Sequence, residues 1–137
     1  MSMQADWCTW RNCAGSEGLA AENEAISRTL SAWDALPGLT GGVIRVKGRI
    51  AAYTVAEAIT GDTMVIHFEK GNPEIKGIYQ AINQLFLERM GSGFAWVNRE
   101  QDMGDEGLRQ AKMSYSPSRF VEKFRVRFLE GNERIER

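Results

Sequence analysis

Apolar residues recur three or four apart at Ile26, Leu30, Trp33 and Leu36, which sets them on one face of a helix over residues 19–36. Pro37-Gly38 ends that helix. Two runs rich in Val, Ile and Tyr follow at 42–46 and 50–55; the polar turn Lys47-Gly48-Arg49 between them predicts a β-hairpin. Gly61-Asp62 turns the chain into a third strand over 63–69. Alternation there places Met64, Ile66 and Phe68 on one face and Val65, His67 and Glu69 on the other. Helical spacing returns at Ile78, Ile82, Leu85 and Phe86, predicting a helix over 74–90 with Gly91 as its stop. Residues 94–97 read as a fourth strand, 105–114 as a short helix and 120–128 as a last strand. In that strand Phe120, Phe124, Val126 and Phe128 alternate with Val121, Lys123, Arg125 and Arg127, and Pro117 separates it from the helix.

The first 18 residues carry only Trp7 and Trp10 as large apolar groups and read as an irregular arm. One domain then spans 19–130, and 131–137 form a polar tail. The class is α+β. A helix between the third and fourth strands can act as a crossover, making that pair parallel within a mixed, mostly antiparallel sheet flanked by helices.

Composition narrows the function more than the fold. With 137 residues and a 43% hydrophobic share, the chain can bury a core. A net charge of -1 leaves no global field to attract nucleic acid or an anionic bilayer, so such contact must come from a local patch. Arg119, Lys123, Arg125 and Arg127 offer one basic strip. No run approaches eighteen apolar residues, and residues 1–6 lack the basic start and apolar stretch of a signal peptide, so a soluble, cytoplasmic protein is expected. Cys8 and Cys13 have no second pair or nearby His to complete a metal site; two reduced thiols and no metal are expected.

Specific residues carry a resemblance: Phe68-Glu69-Lys70, Gly77-Ile78-Tyr79-Gln80-Ala81-Ile82-Asn83, Val97-Asn98-Arg99-Glu100, Asp102, Gly104, Gly107-Leu108-Arg109 and Ala111-Lys112-Met113-Ser114-Tyr115. In this order and spacing they resemble the phosphatidylglycerol lysyltransferase C-terminal domain family, over about residues 41–126 and more weakly through the first helix. The resemblance implies a GNAT-like acyltransferase fold, in which a central parallel strand pair splays and the gap holds the acyl donor. It also implies transfer of an amino acid from aminoacyl-tRNA to phosphatidylglycerol at the inner face of the bacterial membrane. Such members have two GNAT-like units in tandem, and the likeness here is to the second alone. Implied partners are therefore a tRNA acceptor end, an anionic lipid surface and a second copy of the chain restoring the tandem.

Acyl transfer needs a base for the nucleophile, donors for the developing oxyanion and a cradle for an anionic donor. Glu69, Glu100 and Asp102 are the carboxylates near the ends of the two central strands, joined there by Asn98 and Arg99. Glu100 and Asp102 rank ahead of His67 as bases, because a lone His within a strand is more often just packed. Arg99, Arg109 and Lys112 suit phosphate or carboxylate, although Asp105 and Arg109 at i,i+4 also suit an ordinary surface ion pair. Lys70 stands at the end of the third strand. Tyr79 and Asn83 lie one helical turn apart, with core packing as the alternative for Tyr79, and Tyr115 can present a phenol. Gly77 at the helix start lets an anionic group approach backbone N–H groups or permits close packing. The loop Asn72-Pro73-Glu74-Ile75-Lys76-Gly77 has one glycine, a proline without an N–H and an acidic residue, which makes acyl-CoA a poorer expectation than aminoacyl-tRNA. Three readings stand: a GNAT-like acyl- or aminoacyltransferase, a noncatalytic binding or assembly module, and an acyl-CoA-dependent N-acetyltransferase.

Overall fold

Positive φ at both Lys47 and Gly48 gives the two-residue turn whose twist matches the strands on either side. It joins β1 (Leu39–Val46) to β2 (Arg49–Ala58) in an antiparallel pair. Beyond it run β3 (Thr63–Gly71), antiparallel to β2, and β4 (Trp96–Asn98), parallel to β3, giving the order β1-β2-β3-β4. The computed structural model describes residues 2–102 and 104–127, which divide into two compact units at Gln101/Asp102. The sheet belongs to the first unit.

Helices cover both faces of this sheet. On one face lie α1 (Ser2–Arg11) and α2 (Glu17–Ser31), whose Met3, Trp7 and Ile26 pack with Tyr53 and Val55 of β2. On the other lies α3 (Ile78–Met90): Ile78 and Ile82 pack on Ala51 and Ala52, and Phe86 packs on Ala56, Met64 and Ile66. Ser16 caps α2 by accepting the Leu19 N–H. Gly77 begins α3 at φ 79, in open space, so conformation rather than close packing favours glycine there.

The first 18 residues are not an irregular arm. They form α1 and a 3-10 turn over Cys13–Gly15, and Trp7 is only 4% exposed. The chain reverses at Asn12, which has left-handed φ 51, and brings the Cys8 and Cys13 Cα atoms within 5.0 Å. The two cysteines form a disulfide, correcting the expectation of reduced thiols.

The sequence-predicted strand over 120–128 is also corrected where it is described. Residues 120–127 adopt no strand, and Phe124 is 82% exposed. Phe128 and the expected tail over 131–137 lie outside the described residues. The second unit contains α4 (Glu106–Met113), capped by Asp105 through the Leu108 N–H.

One irregularity in β3 decides how the site is built. Val55 pairs with Phe68 but Ala56 pairs with Ile66, leaving His67 as an extra residue in the ladder. Such a β-bulge exchanges the faces of everything beyond it. Phe68 therefore packs with the α1/α2 cluster, while Met64 and Ile66 face α3. The strict alternation expected for 63–69 holds only as far as the bulge.

Candidate functional site

Parallel pairing between β3 and β4 is brief: Thr63, Met64 and Val65 oppose Trp96, Val97 and Asn98. Beyond Val65, β3 continues to Gly71 with no partner on that side among the described residues, whereas the β4 ladder stops at Asn98. Side chains bridge the resulting opening. Arg99 Nη2 donates to Glu69 Oε1 at 2.7 Å, and Asn83 Nδ2 of α3 donates to Glu69 Oε2 at 3.0 Å. The Glu69 side chain is 8% exposed, so both carboxylate oxygens are satisfied where water has little access.

Asn98 shapes the chain as it leaves β4. Its Oδ1 accepts the Glu100 N–H at 2.8 Å, bracing a backbone that places Glu100 at φ 59. From that left-handed position Glu100 Oε1 meets His67 Nδ1 at 3.1 Å. The other ring nitrogen, Nε2, meets Glu57 Oε2 of β2 at 3.0 Å. The imidazole thus lies between two carboxylates. Glu57 was absent from the sequence reading and His67 ranked low in it; the bulge makes this arrangement, and alternation within one strand gave no sign of it.

Lys70 and Tyr79 have other engagements. Lys70 is 8% exposed, with its Nζ 2.8 Å from Glu22 Oε2 and 4.1 Å from the centre of the Trp7 ring. Trp7 Nε1 donates to Tyr79 Oη at 2.8 Å. Tyr53 Oη donates to Gln4 Oε1, and burial, reinforced by Glu22 and Tyr79, pushes the Tyr53 phenol well above its ordinary range. The polar groups at this end of β3 hold α1 to the sheet.

The loop before α3 uses its own amides. Asn72 Oδ1 accepts the Glu74 N–H, the Asn72 carbonyl accepts from Ile75, and the Ile75 carbonyl accepts from Ile78. The α3 helix thus starts at Ile78 rather than at the expected residue 74.

In the second unit, Asp102 receives Arg109 through Nε at 2.6 Å and Nη2 at 3.3 Å, and accepts the Gly104 N–H at 2.9 Å. The Arg109 hydrogen bond, followed by that of Gly104, holds the Asp102 carboxyl down at about 2. A carboxylate so stabilised is a weak proton acceptor, which lowers its standing as a base. Arg109 pairs with Asp102 rather than with the expected Asp105, whose oxygen caps α4. Lys112 lies in the last turn of α4 and Tyr115 just after it, its N–H bonded to the Lys112 carbonyl.

Among the described residues no group of three or more His, Cys, Asp or Glu is arranged to hold a metal ion. No described helix is long and apolar enough to cross a membrane.

Solved structures share this fold. A conserved protein of unknown function from Bacteroides thetaiotaomicron is 41% identical, with a TM-score of 0.81 over 86% of this chain. The chain spans 40% of that protein's length. A ribosomal-protein-alanine N-acetyltransferase from Brucella melitensis biovar Abortus matches at TM-score 0.54 and 13% identity, over 67% of this chain and 72% of its own. An aminoglycoside N-acetyltransferase in complex with CoA matches at 0.52 and 10%, over 85% of this chain and 96% of its own. At such identities the last two establish a GNAT-like fold and nothing finer. No curated protein sequence matches the chain. The family described as phosphatidylglycerol lysyltransferase, C-terminal, matches residues 1–127, and with the short parallel pair and its bridging Glu69 and Arg99 in place, the chain belongs to that family.

Proposed function

We propose that this chain is an acyl- or aminoacyl-transferring domain that passes an activated acyl group to a nucleophile at the opening between β3 and β4. The observation carrying this reading is the three-pair β3–β4 ladder, beyond which the Glu69–Arg99–Asn83 cluster bridges the opening. Glu69 fixes the Arg99 guanidinium beside that opening, where a positive group can stabilise a developing oxyanion or an anionic donor. Asn98 sets the turn that presents Glu100. Aminoacyl-tRNA is favoured over acyl-CoA as donor, because three amides around the start of α3 already serve the loop's own hydrogen bonds. A second copy of the chain would supply the companion GNAT-like unit, and an anionic membrane surface is the expected meeting place if the acceptor is a lipid.

A noncatalytic binding or assembly role is the second reading. It is favoured by Lys70 and Tyr79, which are engaged by Glu22 and Trp7 rather than open to a ligand.

The test is to follow tryptophan fluorescence and thermal stability with lysyl-tRNA, alanyl-tRNA, acetyl-CoA and free CoA, alongside product formation on phosphatidylglycerol vesicles. Wild type should respond to an aminoacyl-tRNA and Arg99→Ala should lose the response. A folded wild type indifferent to every donor defeats the transferase reading. Sedimentation tests pairing independently.

A further inference from the structure

Glu69 and Lys70 are consecutive in β3 and turn to opposite sides of the sheet: Glu69 meets Asn83 of α3, whereas Lys70 meets Glu22 of α2. Tyr79 lies one turn before Asn83 on α3, yet its hydroxyl accepts the N–H of Trp7, which belongs to α1 on the other face. A hydrogen bond between opposite faces cannot pass through a sheet. It rounds β3 at Lys70 and Gly71: the Lys70 ammonium stands 4.1 Å from the centre of the Trp7 ring, and a Cβ on Gly71 would lie 3.6 Å from Tyr79 Cδ2. Among the described residues β4 pairs only with 63–65 of β3, so Trp7 and Tyr79, rather than a strand, cover this end of the opening.

A short loop keeps Trp7 in place. Met3 and Trp7 are the buried apolar side chains of α1, and after the helix the chain doubles back through Asn12 at φ 51. The Cys8–Cys13 bridge ties the residue next to Trp7 to the turn that leads into α2. Its two sulfurs differ in access. Cys13 is buried with Trp7, Ile26 and Tyr53, whereas Cys8 lines a cavity of about 370 Å³ that also meets Gln4, Asn23 and Ser27. An incoming thiolate therefore meets Cys8, and Cys13 is the leaving group.

We propose that Cys8 is a site of thiol–disulfide exchange and that the Cys8–Cys13 bridge is a redox catch on the opening. Closed, the bridge holds Trp7 over the end of β3; reduced, it lets α1 lift and admits the acyl donor to Glu69 and Arg99. What enters rests on the transferase reading above; the catch itself does not. The reductant is a dithiol. One of its thiolates attacks Cys8 Sγ, the S–S bond breaks, and the electron pair leaves on Cys13 Sγ, which takes a proton. Its second thiolate attacks the mixed disulfide and releases Cys8, which takes the other proton. The chain gains two electrons and two protons, and the dithiol becomes its disulfide. Opening so short a loop removes its chain-entropy constraint and raises the share of molecules with α1 released by about tenfold or more. The engagement of Lys70 and Tyr79 by Glu22 and Trp7 is then the closed state of the site.

Amide hydrogen exchange in the whole chain, with and without dithiothreitol, reads the catch in the absence of any donor. Breaking the bridge should speed exchange about tenfold or more over residues 3–11 and 68–71, and leave Met64 and Val65, paired on both sides, within about twofold. Trp7→Phe keeps the ring and loses the N–H, so it should open 68–71 with the bridge intact. Cys8→Ser combined with Cys13→Ser should be open whether or not dithiothreitol is present. Unchanged exchange over 68–71 once the thiols are free overturns the proposal, as does a folded Trp7→Phe as protected as wild type. An equal rise at Met64 and Val65 also overturns it, by making the bridge a support for the whole sheet. If Trp7→Phe fails to fold, Tyr79→Phe removes the same hydrogen bond from its other end and is read in the same way. Lysyl-tRNA, alanyl-tRNA and acetyl-CoA are then titrated in both redox states, and one of them should bind the reduced chain about tenfold more tightly. Equal binding of a donor in the two states overturns the catch and leaves the transferase reading standing. Opening seen by exchange with no donor bound in either state removes the transferase reading and leaves the redox opening intact.

Discussion

Arg99 closes on Glu69 at 2.7 Å across the opening where β3 and β4 stop pairing, and Asn83 holds the second carboxylate oxygen from α3. This one carboxylate links a helix, a strand and the chain leaving the next strand.

Arg99→Ala should therefore destabilise the fold as well as disturb the site. It leaves a carboxylate whose side chain is 8% exposed with fewer partners, at an expected cost of about 2–3 kcal/mol, reduced from the fully buried case because Arg99 itself is partly solvated. Asn83→Ala should cost about 1 kcal/mol. Urea unfolding reads both, and a shift of midpoint at constant slope is the expected pattern.

Gly41 tests the sheet. A Cβ there would lie 2.6 Å from the backbone oxygen of Thr54 and 3.3 Å from Trp33, so Gly41→Ala must push apart strands β1 and β2. An overpacking cost of about 1–3 kcal/mol is expected, against a change within about 0.5 kcal/mol for Gly61→Ala, which meets nothing within 4 Å. Equal melting temperatures for the two variants would contradict the β1–β2 geometry.

Asp102 provides a pH signature. Its folded value lies at about 2, below the ordinary 3.8, so the interaction is fully present above 3.8 and is lost as pH falls through 2. Carboxyl carbon shifts should place its midpoint near 2. Arg109→Gln should return it towards the ordinary range, because the Arg109 hydrogen bond is the largest cause of the depression.

Reduction of Cys8–Cys13 should loosen the attachment of α1. A loop this short gives a chain-entropy contribution of about 2 kcal/mol, and Trp7, packed beneath the helix, should report the change as a red-shifted, more quenchable emission. The untreated, denatured chain should show no reactive thiol. Two thiols in that titration would refute the bridge.

Much of this architecture was legible because its periods are simple. The stripe of Ile78, Ile82 and Phe86 marks α3, the Lys47-Gly48 turn marks the hairpin, and the helix between the third and fourth strands marks the parallel pair. Glu69, Asn98, Arg99 and Glu100 were found at those strand ends through the family resemblance and their positions. What stayed hidden depended on contacts between distant residues. The α1 helix has a weak apolar stripe and is held by Trp7, Lys70, Tyr79 and Tyr53, most of them far along the chain. The basic and aromatic alternation over 120–127 looks like a strand locally, yet strands form only where a neighbour pairs with them. Glu57 joins the site because an extra residue in β3 turns His67 towards it, and pairing register cannot be read from one strand alone.

That extra residue acts as a phase change in the strand. Replacing His67 with another side chain alters one position, whereas deleting it would let Ile66 and Phe68 pair in direct succession with Ala56 and Val55, so Phe68, Glu69 and Lys70 would keep their sides while the bulge and its imidazole are lost. Length at this point is thus as much a part of the protein's information as identity: the supernumerary residue puts a ring between two acids without disturbing which way the letters after it face.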